Sequence, residues 1–177
     1  MMARLSRRRA LTATAGAVLA APYIGRAAAA VPLRLGCLTD FSGPYSDLTG
    51  RGSVGSIRLA IEDFKALHPD IPVELLTAEF GLKPDVGLSI LQRWYDVEGV
   101  DAVFDFPMSA LALAAVRVFE DKNKVGVITS AATSELTRGS CGPNHVQFSS
   151  DTFCLAASLV KSLIQQGGDT WFFILPN

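Results

Sequence analysis

The sequence predicts an α/β fold in which a parallel sheet is doubly wound, with helices on both faces. Three observations point to it. Short apolar strand segments alternate with amphipathic helical segments three times in succession, Gly and Pro punctuate the junctions, and strands run into loops rich in small polar residues. Consecutive βα units favour parallel pairing, because right-handed crossovers return the chain to the same sheet.

The first strand is the apolar run 33–39, LRLGCLT. The loop DFSGPYSDLTG then leads into a helix whose Val54, Ile57, Ile61 and Phe64 recur at spacings of 3, 4 and 3, one helical face. That helix stops near His68-Pro69, since proline restricts the residue before it. Residues 71–78 form the second strand. Pro84 and Asp85 open a second helix, with Val86, Ile90, Trp94 and Val97 on one face and Gly99 closing it. The third strand spans 101–106, the third helix 110–121 and the fourth strand 125–129. The pattern then loosens into SAATSELTRGSCGPN, a polar loop with one short helical turn, and recovers as a brief strand over 145–148. Ser150-Asp151 caps a helix through Leu155, Leu159, Leu163 and Ile164, ended by Gly167-Gly168. Residues 171–175, WFFIL, read as one more strand, apolar enough for the middle of a sheet.

Residues 1–30 stand apart from this alternation. They carry five arginines and no acid, then an apolar run over 11–24 and the small residues Ala27, Ala28, Ala29 and Ala30, the order of an export signal. Ser6-Arg7-Arg8-Arg9-Ala10-Leu11 is close to a twin-arginine pattern, with an ordinary secretory signal as the alternative, and cleavage is expected near Ala30. The apolar run is shorter than the roughly 20 residues of a spanning helix. Removing those five arginines from the 16 basic residues leaves 11 against 17 acidic ones, a net charge of -6. Neither a basic patch nor a basic helix face survives, which argues against a nucleic-acid partner.

Cys37 lies within an apolar strand and reads as a small buried hydrophobe, while pairing of Cys141 with Cys154 stays open. No metal-ligand spacing appears, because His68 and His145 are remote from each other and from any cysteine pair. Gly50-Arg51-Gly52-Ser53-Val54-Gly55 spells the dinucleotide pattern G-x-G-x-x-G, with Glu79 24 residues past Gly55. Ten residues separate the first strand from Gly50, whereas that fingerprint needs its glycines directly after the strand. Ser158-Leu159-Val160-Lys161 matches S-x-x-K without the partner motifs of serine acyl-enzymes. No nucleophile with a base and no catalytic carboxylate pair can be assembled, so the expectation is a non-catalytic protein without a cofactor.

Several spaced blocks carry a resemblance. They are Leu38-Thr39-Asp40-Phe41-Ser42-Gly43-Pro44-Tyr45, Lys83-Pro84-Asp85-Val86-Gly87, Pro107-Met108-Ser109-Ala110, Ser130-Ala131-Ala132-Thr133-Ser134 and Asp151-Thr152-Phe153. In that order they resemble the periplasmic substrate-binding proteins of ABC transporters, of the branched-chain amino-acid-binding (Leu/Ile/Val) type. The resemblance implies the type I periplasmic-binding-protein fold, two lobes closing on a solute, with full-length members roughly twice as long. It divides the chain into a signal over 1–30, a nearly complete first lobe over 31–148, and the start of a truncated second lobe over 149–177.

The resemblance also implies a site. Ser109 and Ala110 after the third strand, with Ala131, Ala132 and Thr133 after the fourth, would hold a ligand's carboxylate and ammonium groups through hydroxyls and backbone groups. From the residues alone, Ser109 and Thr133 equally suit helix or turn caps. Tyr45 and Phe153 would wall the cleft, Phe153 standing where many relatives carry Tyr and so lacking a hydroxyl. Asp151 suits helix capping better than a ligand contact. The implied partners are a small amino acid or related carboxylate or amide and the permease subunits of the transporter, in the periplasm. The alternatives are an exported nicotinamide-dependent oxidoreductase and the ligand-sensing domain of a receptor.

Overall fold

The computed structural model describes residues 31–172. Five parallel strands form one sheet: β1 (Leu33–Thr39), β2 (Val73–Glu79), β3 (Ala102–Asp105), β4 (Val125–Ile128) and β5 (His145–Gln147), in the order β2-β1-β3-β4-β5. The helices are α1 (Gly50–Leu67), α2 (Pro84–Asp96), α3 (Ser109–Lys122) and α4 (Thr152–Gln165), with a 3-10 turn at Ser134–Thr137. The expected doubly wound sheet is present, and its strand order reverses at β1. The chain moves from β1 outward to β2, then crosses back over β1 to β3, so right-handed crossovers place α1 on one face and α2 and α3 on the other. The expected export signal lies outside the described residues.

The α2/α3 face holds the core. Leu38, Val103 and Ile128 of the sheet pack with Leu91, Trp94, Leu111, Ala115 and Phe119 from the helices, all buried. Two strand glycines let the helices approach. A Cβ on Gly36 would sit 2.6 Å from the Trp94 ring, and one on Gly126 would overlap Phe119. Phe119 is held in turn by Phe106 and Tyr95, both edge-on, with ring centroids 5.4 and 6.4 Å away.

The α1 face is more open. Val54 is buried, while Ile57, Ile61 and Phe64 are half-buried and share an apolar groove with Leu33, Leu35, Val73 and Phe104. The expected α1 face is therefore the one that meets the sheet, and α1 ends at Leu67 with His68 as its cap.

The expected face of α2 is corrected by a partial turn. Gly87, Leu91, Trp94 and Tyr95 are buried, whereas Val86 and Val97 are exposed. The cause is α3, because a Cβ at Gly87 would meet Leu111 at 2.6 Å, so the helix turns its smallest residue to the tightest contact. Elements end close to where the sequence puts them. Asp105 and Phe106, with φ of 91° and 61°, stop β3 before the expected position 106. Gly99 and Gly167 take positive φ after α2 and α4.

After β5 the chain leaves the sheet. Asp151 caps α4, its Oδ1 accepting from the Cys154 backbone N–H at 2.6 Å, but no residue of α4 is buried. The helix is tied back through the Thr152 N–H to the Ala132 carbonyl, 2.7 Å, and the Phe153 N–H to the Ser134 hydroxyl, 3.0 Å. Trp171 and Phe172 carry no strand structure, and the rest of that expected strand lies outside the described residues. Cys141 and Cys154 are free and exposed, and Cys37 is buried as expected.

Candidate functional site

Parallel strands bring all their carboxyl ends to one edge of the sheet, and β1 and β3 stand side by side where the strand order reverses. In open α/β sheets that crevice is where ligands bind. The loop after β1 is tightly pinned there. Asp40, buried, accepts from the backbone N–H groups of Gly43 at 2.7 Å and Tyr45 at 2.9 Å. Thr39 donates to Thr49 Oγ1 at 3.2 Å and accepts from the Gly50 N–H at 2.8 Å, so strand end and helix start are stitched together. Tyr45 is held by its backbone and its side chain is about one third exposed.

Ser109 is the first residue of α3, half-buried, and Ala110 beside it is exposed. No side chain caps this helix, so its leading N–H groups and the serine hydroxyl stand at the sheet edge. Ala131 is buried, and Ala132 and Thr133 are half-buried. Their carbonyls are engaged: Gln147 Nε2 donates to Ala131 at 2.8 Å and Thr133 at 3.3 Å, and the Ser149 hydroxyl donates to Ala131 at 2.5 Å. Thr133 caps the 3-10 turn, its hydroxyl accepting from the Glu135 N–H at 3.4 Å, which leaves its own proton for another partner. Phe153 sits in the first turn of α4, one ring face covered by the Arg138 guanidinium at 4.4 Å. The structure thus brings Tyr45, Ser109, Ala110, Ala131, Ala132, Thr133 and Phe153 to the same edge.

Three residues at this edge were not among the expected site residues, although Ser130 lies in one of the blocks that carry the resemblance. Asp105 ends β3, fully buried, its Oδ1 accepting from the hydroxyls of Thr129, 3.2 Å, and Ser130, while Oδ2 has no partner among the described residues. Thr129 and Ser130 line a cavity of about 420 Å³ with Leu48, Ser53, Ile57 and Phe104, under the first turns of α1. Burial, and secondarily the charge of Asp105, push the Cys37 thiol up to about 12. A charged residue inside AVFDF was the available signal, since an unpaired buried carboxylate is costly.

The dinucleotide reading fails on placement. Gly50, Gly52 and Gly55 all lie within α1, and the strand-to-helix connection is filled by the pinned loop 40–49. Among the described residues no cluster of three His, Cys, Asp or Glu side chains could hold a metal ion.

The chain is similar to several solved structures. A branched-chain amino acid ABC transporter periplasmic ligand-binding protein from Burkholderia xenovorans is 37% identical, with a TM-score of 0.71, over 76% of this chain and 36% of that one. A periplasmic binding protein from Burkholderia mallei is 32% identical, with a TM-score of 0.73, over 79% and 37%. A solute-binding protein from R. palustris in complex with benzoate shares the fold at 18% identity and a TM-score of 0.65, over 77% and 38%. The chain thus spans little more than a third of the length of these relatives. No curated protein matches it. Residues 32–177 match the periplasmic binding protein family model. The sheet order, the switch-point edge and this match together place the chain in the periplasmic binding protein family, with the type I fold of the substrate-binding proteins of ABC transporters.

Proposed function

We propose that the chain serves as the extracytoplasmic solute-binding component of an ABC-type importer, its sheet edge forming one wall of a cleft for a small amino acid or related carboxylate or amide. The observation that carries this reading is that the uncapped N-terminus of α3, at Ser109 and Ala110, and the Thr133 turn follow the adjacent strands β3 and β4, at the edge beside the strand-order reversal. The helix N-terminus suits a carboxylate through free N–H groups and the helix dipole. The Thr133 hydroxyl, already accepting from Glu135, has a proton to donate. Residues 31–148 form this wall. The exposed helix α4 starts the opposing lobe, and hinge closure would shift the population toward a form that docks on permease subunits.

Titration of the chain with L-leucine and with benzoate, followed by amide NMR shifts, tests the assignment. Ser109→Ala and Thr133→Ala should each weaken binding roughly 10- to 100-fold, since hydrogen bonds to charged groups contribute about 1.5–3 kcal/mol. Perturbations confined to the opposite strand ends would refute it. Export through the signal at 1–30 is checked by sequencing the mature N-terminus, which should begin near Val31.

A further inference from the structure

We propose that Asp105 sets the polarity of the cavity between α1 and the ends of β3 and β4, making it a subsite for a cationic or N–H-donating group of the ligand. An ionised carboxylate only accepts hydrogen bonds. Thr129 Oγ1 and Ser130 Oγ both donate to the same oxygen of Asp105, so each hydroxyl has its single proton committed inward. What these hydroxyls turn toward the cavity is lone pairs. Thr129 and Ser130 line that cavity. The rest of the wall is mixed, with Leu48, Ile57 and Phe104 apolar and Ser53 and Ser56 from α1, the Ser56 hydroxyl donating to the Gly52 carbonyl at 3.0 Å.

Two further observations support the assignment. Asp105 is fully buried, and its Oδ2 has no partner among the described residues. No Lys or Arg pairs with it: the five ion pairs among the described residues use Glu74, Glu98, Glu120, Asp96 and Asp101. A buried carboxylate with spare acceptor capacity is costly unless positive charge is brought near it. A ligand ammonium, amidinium or amide seated on Thr129 and Ser130 would supply that charge across one layer of hydroxyls. An anionic group there would meet both the lone pairs and the carboxylate behind them.

This deepens the solute-binding reading and depends on it. Thr129 and Ser130 directly precede Ala131, Ala132 and Thr133, so a donor-bearing end here and a carboxylate at Ser109 would orient one amphoteric solute. Asp105 acts through the two hydroxyls and is a positioning residue.

The test uses a pair of probes of similar shape and opposite polarity, benzamidine and benzoate, titrated into the chain by amide NMR. Benzamidine should shift residues 48, 53, 129 and 130. Asp105→Asn keeps the shape and an acceptor oxygen, and Asn tolerates the positive φ of 91° at this position. It should lower the ratio of benzamidine to benzoate affinity at least tenfold. Ser130→Ala, at a half-buried position, should weaken benzamidine about threefold and guards against a folding defect in the first variant. Equal loss of both probes in D105N, which a merely structural role would give, overturns the proposal. So does benzamidine binding that neither variant changes, or no benzamidine binding at all. If benzoate still binds and Ser109→Ala still weakens it, the solute-binding reading stands while this subsite falls.

Discussion

Gly126→Ala tests the packing on which the site rests. The added Cβ would overlap the Phe119 ring at Cε2 and Cζ and stand 2.7 Å from Cδ2. Phe119 is fully buried, with Phe106 and Tyr95 edge-on against it, and Tyr95 is itself fastened by its hydroxyl donating to the Val125 carbonyl at 3.1 Å. The ring has nowhere to turn, so the cost belongs at the upper end for over-packing, about 3 kcal/mol. For a domain of this size that lowers Tm by about 6–12 °C. The strain also reaches the site, because Phe106 is separated from Ser109 only by Pro107 and Met108. Gly55→Ala is the matched control. Its Cβ meets nothing within 4 Å inside a regular helix, and it should gain about 0.5–1 kcal/mol from helix propensity. Thermal melts followed by circular dichroism at 222 nm, with urea titrations to check that the slope is unchanged, measure both. A G126A protein melting within 1 °C of wild type would show that the α3 face is not close-packed, and would remove the mechanical link from core to site.

Two further outcomes follow from charge. Burial alone would raise the Asp101 carboxyl, but bonds from the Arg34 backbone N–H at 3.0 Å and from Lys124 Nζ at 3.0 Å, with their charges, hold it below the usual carboxylate range. A folded-state value below the unfolded one stabilises at neutral pH, and that contribution fades as pH falls through the folded value. Because the Asp101 side chain is 41% exposed, solvent screens these contacts, so Asp101→Asn should cost no more than about 0.5 kcal/mol at pH 7, and the gap to wild type should close in acid, below the ordinary carboxylate range; a gap that persists there would refute the ionic account. Cys37, with its thiol raised to about 12, should resist alkylation in the native state at pH 8, while Cys141 and Cys154 react at once. Mass spectrometry showing all three labelled equally would mean that β1 is not buried as described.

The order and type of the elements from β1 to α4, and their limits to within a residue or two, were legible in the chain's local pattern, while the strand expected over 171–175 shows no strand structure at Trp171 and Phe172. The legible limits depend on neighbours within a turn or two: Pro84 at the start of α2, Asp151 capping α4, Gly99 and Gly167 with positive φ just past helix ends, and apolar runs of strand length. The spaced blocks at strand ends also marked the edge where Ser109 and Thr133 stand. Which residues face one another across that edge depends instead on contacts between elements far apart in the chain. The buried face of α2 was set by Leu111 of α3, a contact 24 residues from Gly87 that helical periodicity cannot see. Asp105 read as one polar residue in an apolar strand until β3 and β4 paired and put the hydroxyls of Thr129 and Ser130 on its carboxylate. Local conformation follows from local sterics and capping. The polarity of a cavity follows from which distant donors have already given their protons away, and that is known only when the strands are side by side.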